Sequence, residues 1–379
     1  MSKRVNTAVW LEEYQRWQIK VRKDGQRKTF TSPTPGRKGQ RECNKKADDW
    51  LAGHIVNPSI KVNVLWGKLV QSLQDAGTSR SHWGQYEQYG RNYVSKVIWH
   101  RKVSSLTEQD LQDVIDYAHK HPVKGEPLSY KTLKNIRDTL VAFIKYARKC
   151  GASTLRPEFL TLPKDATKAE KHPLQPGDLR KLFTSTKTMY RRKEVEEWYI
   201  HAYRVAAITG LRPGELYRLK KNNVNIKTGR CDVRGAVNVY NEKTSGKNGN
   251  AIRSFVLPVV ALNEIKSQLD MLKRAGVISP YLFPEPDGEI TRQSYAYDCW
   301  VRYRKHNGIA DIAPYELRHT FFSVSKALPA ELVKMVGGHS EDFDTFGTYG
   351  HELDGEAEQA AALINDAFID VLGVNGKRG

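Results

Sequence analysis

Two arginines, a histidine and a tyrosine stand out in the C-terminal half of this chain. Arg212 lies in Ala207-Ile208-Thr209-Gly210-Leu211-Arg212-Pro213-Gly214-Glu215-Leu216, and Arg318 in Pro314-Tyr315-Glu316-Leu317-Arg318-His319-Thr320. His339 follows in Gly337-Gly338-His339-Ser340, and Tyr349 in Thr348-Tyr349-Gly350-His351. Chemically these are two planar cations, a proton-handling ring and a phenol. A phosphodiester repels nucleophiles by its negative charge, and its transition state places more charge on the non-bridging oxygens. Guanidinium forks match the geometry of those oxygens and hold them bidentately. Losing such a donor costs roughly 10²–10³ in rate. With a phenol as nucleophile, the set is a kit for attacking a phosphodiester without a metal. A zinc site from His319, His339 and His351 is the formal alternative, but those spacings match no standard ligand set.

These four pieces, in this order, resemble the catalytic boxes of the tyrosine recombinases, the phage-integrase family. The resemblance covers roughly residues 60–372, and its specificity resides in 207–216, 243–244 and 314–351. It implies that Arg212 and Arg318 clamp the phosphate and that Tyr349 attacks phosphorus. The 5′-oxygen leaves, and a 3′-phosphotyrosine stores the bond energy. Resealing then needs no ATP, in keeping with the absence of a GxxxxGK[ST] run. His339 corresponds to the third-box histidine. Tyr349 sits ten residues after it in a context common among phage-type members, whereas Tyr297 and Tyr315 lack that context. Glu215 resembles the acidic residue that orients the first arginine, and His319 is read as support for Arg318. In the family a hairpin lysine protonates the departing oxygen. Lys243 matches its Lys-Thr position, and Lys247, nearer the turn, is the rival. The second box normally begins with histidine. Tyr315 stands there instead and is entered as a phosphate contact, since a phenol can hydrogen-bond an oxygen but is no cation near neutral pH.

The elements that must position these groups are read as follows. Val237-Asn238-Val239-Tyr240-Asn241-Glu242-Lys243-Thr244 and Ile252-Arg253-Ser254-Phe255-Val256-Leu257-Pro258 flank a Gly-, Ser- and Lys-rich turn, which predicts a hairpin of two paired strands. Pro176 to Phe183 opens a helical region. From Gly355 onward, Ala357, Ala361, Ile364, Phe368 and Val371 form one stripe of a final helix, expected either to pack on its own core or, as in the family, to dock on a neighbouring protomer.

Upstream, Arg16 to Arg22 alternates polar with apolar residues, the period of a half-buried strand, and Lys23-Asp24-Gly25 is a hairpin turn signal. Gln26 to Thr31 returns as a second strand, Ala8 to Tyr14 is a candidate third, and residues 40–53 read as a helix with Ala47, Trp50 and Leu51 on one side. Residues 58–155 read as helices. Thr107 with Asp110 has capping-box spacing, followed by the stripe Leu111, Val114, Ile115 and Ala118. Ser129 caps a helix whose Leu133, Ile136, Leu140, Ile144 and Ala147 recur every three or four residues. Between 156 and 175, Pro157, Pro163 and Pro173 alternate with Lys164, Lys168 and Lys171, a linker composition.

The expected fold class is multidomain, mainly α with small β-sheets. Residues 1–57 form a β-hairpin/helix unit like an arm-type DNA-binding domain. Residues 58–155 form a helical, SAM-like core-binding domain. After a linker at 156–175, residues 176–379 form an α+β catalytic domain. A formal charge of +19 at pH 7 makes nucleic acid the default partner. Residues 1–57 hold 13 Lys and Arg against 6 Asp and Glu, net +7, whereas residues 330–379 hold 3 against 10, net −7. The acidic end therefore suits a protein contact better than a phosphate backbone. Candidate DNA contacts are Arg16, Lys20 and Arg22 in the first unit and Lys131, Lys134 and Arg137 in the second.

Cys43, Cys150, Cys231 and Cys299 are scattered with no CxxC pair, which argues against a zinc module or a disulfide scaffold. No apolar run approaches 18 residues and no apolar leader opens the sequence, so a cytoplasmic, nucleoid-associated protein with no membrane partner is expected. No metal or cofactor is expected. The resemblance implies double-stranded DNA attachment sites, a homotetramer on two duplexes, and room for an excisionase or a DNA-bending host protein. The implied activity is integration or excision of a prophage or mobile element. A resolvase or invertase of the same family, and a non-catalytic DNA-binding protein that keeps the fold, are the competing readings.

Overall fold

The computed structural model describes residues 5–23, 26–51, 59–123, 125–168, 172–244, 252–338 and 355–373. The chain divides into two compact units, 1–169 and 170–379.

The first unit begins with an antiparallel sheet of β1 (Val9–Leu11), β2 (Arg16–Lys23) and β3 (Gln26–Ser32). Period-two alternation buries Ile19, Val21 and Phe30 and leaves Lys20 and Arg22 exposed. Helix α1 (Gly36–Leu51) covers the buried face with Cys43, Ala47 and Leu51. It starts four residues before the expected position, because the breakers Pro33 and Pro35 end just ahead of Gly36. The candidate third strand is only three residues long. Glu12–Tyr14 turns instead as a 3-10 helix and Gln15 takes a left-handed conformation, φ 47°. Asp24 and Gly25 of the expected turn lie outside the described residues.

A helical core follows in the same unit, from α2 (Val62–Asp75), α3 (Arg80–Tyr89), α4 (Glu108–Lys120) and α5 (Tyr130–Lys149). Thr107 caps α4: the Asp110 carboxylate accepts from Thr107 N at 2.8 Å, and Thr107 Oγ1 from Asp110 N at 3.3 Å. Both expected stripes are buried, and Phe143 meets Trp66 with ring centroids 4.9 Å apart. The expected linker behaves differently over its first half. Leu160, Leu162 and Ala166 pack on the helical core. Glu108 accepts from the backbone N–H groups of Glu158 and Phe159, and Gln112 from that of Thr161. Prolines that break helices thus leave an extended strap whose leucines still find apolar partners.

In the second unit α6 (Pro176–Thr184) leads through the hairpin β4 (Lys187–Tyr190) and β5 (Lys193–Glu196) into α7 (Ile200–Thr209). All ten residues of α7 are buried, so it is the central helix of the unit. Around it stand α8 (Pro213–Arg218), α9 (Val259–Arg274), α10 (Gln293–His306), α11 (Glu316–Val324), α12 (Ala330–Gly337) and α13 (Glu356–Leu372). The final stripe packs on its own unit through Ile364, Phe368 and Val371, and Asn365 Oδ1 accepts from Val260 N.

The predicted long hairpin is corrected. Strand β9 (Ile252–Val256) pairs antiparallel with β6 (Arg230–Arg234) and not with the 237–244 run. That run folds on itself, β7 (Ala236–Val237) pairing with β8 (Lys243–Thr244). The cause is local: Asn238 Oδ1 accepts from the N–H groups of Tyr240 and Glu242, each at 2.9 Å, and Asn241 adopts φ 63°. An Asx-type turn interrupts what alternation alone read as one strand.

Candidate active site

The first arginine is set by the way α7 stops and α8 starts. Pro213 occupies the first helical turn, where its missing N–H costs nothing. Glu215, three residues after Arg212, reaches back to accept from Arg212 N at 3.2 Å and from Arg212 Nη1 at 2.7 Å. A Cβ on Gly214 would lie 2.4 Å from Val237 O, so only glycine lets α8 lie against the short hairpin. Gln293 donates to Val237 O at 2.7 Å, and Arg218 donates to Ala236 O and Thr244 O. The hairpin carrying Lys243 is thereby fastened to the helix that follows Arg212. Lys243 is exposed on β8, its Nζ 6.0 Å from the centre of the Tyr281 ring.

Arg318 comes from α11 and is 4 % exposed. It donates to Gly210 O at 2.6 Å, to Gly337 O, and to Gly338 O at 3.3 Å, and it stacks over Phe322. Arg212 Nη2 donates to the same Gly338 oxygen at 3.0 Å. Two cations from distant boxes therefore converge on one acceptor. Burial, and then the neighbouring Arg212, push the Arg318 guanidinium down to about 10, so it stays cationic at neutral pH.

A third cation was missed in the sequence. Arg253 on β9 donates to Glu215 Oε2 at 3.1 Å and to Val336 O at 3.0 Å. The available signal was its register: Arg253 and Phe255 share the face of β9 that turns inward. Burial pushes the Glu215 carboxyl up. Arg253 first and Arg212 second outweigh it and hold the group below the ordinary carboxylate range. Among the described residues three guanidiniums thus face one carboxylate, a cationic cluster suited to an anion.

Tyr315 directly precedes α11, is 45 % exposed, and meets His319 edge-to-face at 5.6 Å. His319 is half-buried one turn into the helix. His339, Tyr349 and Lys247 lie outside the described residues. In the first unit Lys131 is exposed, Lys134 half-buried, and Arg137 paired with Asp138 at 3.0 Å. Lys20 and Arg22 point away from α1, and Arg16 lies 5.0 Å over the Tyr14 ring. Among the described residues no group of three His, Cys, Asp or Glu is placed to hold a metal. None of the helices there is long and apolar enough to cross a membrane.

The model of the phage integrase family matches residues 167–356, half of the chain. The chain belongs to the phage integrase family. Tyrosine recombinase XerA of Pyrococcus furiosus is 30% identical over 137 residues, which are 35% of this chain and 43% of that protein. The chain thus matches less than half the length of this curated relative. Among solved structures, the Tn1549 transposon integrase in complex with a circular intermediate DNA superposes with a TM-score of 0.61 at 18% identity, over 79% of this chain and 98% of that one. A lambda integrase tetramer bound to a Holliday junction gives a TM-score of 0.57 at 14% identity, covering 89% and 96%. These likenesses establish the fold: a multidomain, mainly helical integrase architecture with small sheets. In this member of the family, Arg212, Arg318 and Arg253 converge on the end of α12 in the second unit.

Proposed function

We propose that this member of the phage integrase family is a site-specific DNA recombinase that cuts and rejoins DNA through a 3′-phosphotyrosine at Tyr349, to integrate or excise a mobile element or prophage. The observation that carries this reading is the convergence of Arg212 and Arg318 on Gly338 O, beside the Glu215 carboxylate. Net positive charge that is only partly solvated favours an entering anion. A scissile phosphate oxygen takes over from Gly338 O as the acceptor shared by both arginines. Their donors are then already aimed where transition-state charge develops, so little reorganisation accompanies the reaction. The Tyr349 hydroxyl attacks phosphorus as its proton passes to water or to the His339 ring, which hydrogen-bonds the phenol or a non-bridging oxygen, and the 5′-oxygen leaves with a proton from Lys243 (Lys247 being the rival donor). Tyr315, with its exposed ring at the start of α11, is a neutral phosphate contact, and His319 supports Arg318.

In the same reading residues 1–57 are an arm-type DNA-binding domain and 58–155 the core-binding domain, with catalysis in 176–379. Lys20 and Arg22, like Lys131 and Lys134, contact phosphates without reading sequence. Relatives solved on circular-intermediate DNA and as a tetramer on a Holliday junction support attachment-site DNA as partner and a homotetramer as the working assembly. An excisionase or a DNA-bending host protein fits the same scheme, acting on cytoplasmic, nucleoid DNA.

The test is a nicked suicide substrate, with peptide mapping of the covalently linked residue. Wild type should trap an adduct at Tyr349, while Tyr349→Phe should bind DNA equally well and trap none. Persistent adduct in Tyr349→Phe sinks the assignment of the nucleophile. No adduct in the wild type favours a DNA-binding protein that keeps only the fold.

A further inference from the structure

Helix α12 ends with three consecutive backbone carbonyls, and each is held by an arginine. Arg253 takes Val336 O, Arg318 takes Gly337 O, and Arg212 with Arg318 takes Gly338 O. Last-turn carbonyls have no partner within their own helix and carry its negative dipole end, so cations belong there. The chain runs directly from this end into His339. Gly338 is left-handed, φ 64°, and a Cβ there would lie 2.6 Å from the Arg253 guanidinium. The Arg253 side chain is 10 % exposed, and among the described residues its Nη1 has no hydrogen-bond partner.

The division of labour among the three arginines carries the inference. Arg212 and Arg318 hold the two glycine carbonyls with the same donors that a phosphate would claim. Arg253 holds the residue before them, and it also holds Glu215, which orients Arg212. When phosphate enters, the contacts of Arg253 are the ones with no competitor. We propose that Arg253 is a positioning residue for strand cleavage, locking the end of α12 and the Glu215–Arg212 pair in place while the two clamp arginines exchange Gly338 O for the scissile phosphate. The proposal rests on the recombinase reading above.

Arg253→Ala and Arg253→Lys in the full chain test it. Glu215 faces Arg212 from the N-cap of its own helix, Arg253 from β9 and Arg318 from α11, and it lines a small cavity with Arg218, Lys220 and Arg234. Because Arg253 is the strongest of the influences that keep Glu215 ionised, its loss should move the acid limb of thermal stability to higher pH. Arg253→Ala should bind a duplex core site within about threefold of wild type and trap phosphotyrosine about 10²-fold more slowly, the scale expected for a misplaced reacting group. Arg253→Lys should restore the acid limb, because it returns the charge. It should leave cleavage slow, because one ammonium cannot reach both Glu215 and Val336 O. Combining Arg253→Ala with Glu215→Gln should slow cleavage little beyond either alone.

Unchanged cleavage and an unchanged acid limb in Arg253→Ala would overturn the proposal. So would equal losses of binding and cleavage, which would make Arg253 a direct DNA contact through Nη1. If wild type traps no adduct, the recombinase reading fails first. The acid limb, read without DNA, still decides whether Arg253 holds Glu215.

Discussion

Replacing Glu197 by glutamine should stabilise the second unit, and only above mildly acidic pH. Glu197 follows β5 and is 1 % exposed. Its Oε1 accepts from Tyr199 N at 3.2 Å and from the Tyr203 hydroxyl at 3.3 Å. Burial pushes the carboxyl from an ordinary 4.5 to about 7, against smaller lowering effects from those two donors and Arg302. The folded chain therefore keeps a proton between pH 4.5 and about 7 that the unfolded chain releases. Native protein binding more protons means that stability falls as pH rises through this window. At about 1.4 kcal/mol per pH unit, the full penalty above pH 7 is about 3 kcal/mol. Glutamine is neutral at every pH and keeps an acceptor for both donors. Glu197→Gln should then raise the Tm of this unit by about 6–12 °C at pH 8, taking roughly 2–4 °C per kcal/mol for a unit of this size. At pH 4, where both states of the wild type are protonated, the gain should vanish. Calorimetric melts at pH 4, 5.5 and 8 read this directly. A shift of the same size at all three pH values, or destabilisation at pH 8, would refute the reasoning, because either outcome means that Glu197 is not a buried neutral acid.

Three further outcomes follow from the site. Lys243→Ala should slow cleavage by about 10²–10⁴-fold on an ordinary substrate and far less when sulfur replaces the leaving 5′-oxygen, since a thiolate leaves without a general acid; rescue of Lys247→Ala instead would exchange the two roles. Gly338→Ala should lower the melting temperature of the second unit and slow cleavage, because a side chain in the left-handed region costs about 1–2 kcal/mol and this one would also collide with Arg253; wild-type behaviour would mean that the α12 turn does not govern the site. Deleting residues 1–57 should spare cleavage of a short core site and remove a second footprint whose affinity falls with log salt at a slope of about −0.9 per neutralised phosphate. Identical footprints at two salt concentrations would make the hairpin a structural cap.

The elements that were legible in the sequence are those whose causes are local. Helices α4 and α5 announce themselves by a cap residue, an apolar period and nothing in between to break them. The first sheet follows from alternation over β2, and the Arg212 turn from Pro213 and Glu215. What escaped was pairing. Nothing within Ile252–Val256 says that its partner is Arg230–Arg234, which lies before the short hairpin rather than in it. Composition misled over 156–167, where proline spacing hid leucines with apolar partners elsewhere in the chain.

Arg253 was invisible for a deeper reason. A lone arginine in a short strand is ordinarily an outward, solvated group, and local consistency recommends that reading. Three arginines around one carboxylate and a helix C-terminus make a poor stability device: burial already lowers the proton affinity of Arg318, and like charges sit side by side. Carbonyl dipoles offset part of that repulsion, and Glu215 another part. Among the described residues the remainder is a local excess of positive charge. A sequence selected for stability alone would have replaced at least one of these cations with a hydrocarbon. Three cations crowded at the junction of two distant boxes are the kind of local inconsistency that marks a working site, in keeping with the phosphate-binding role proposed above.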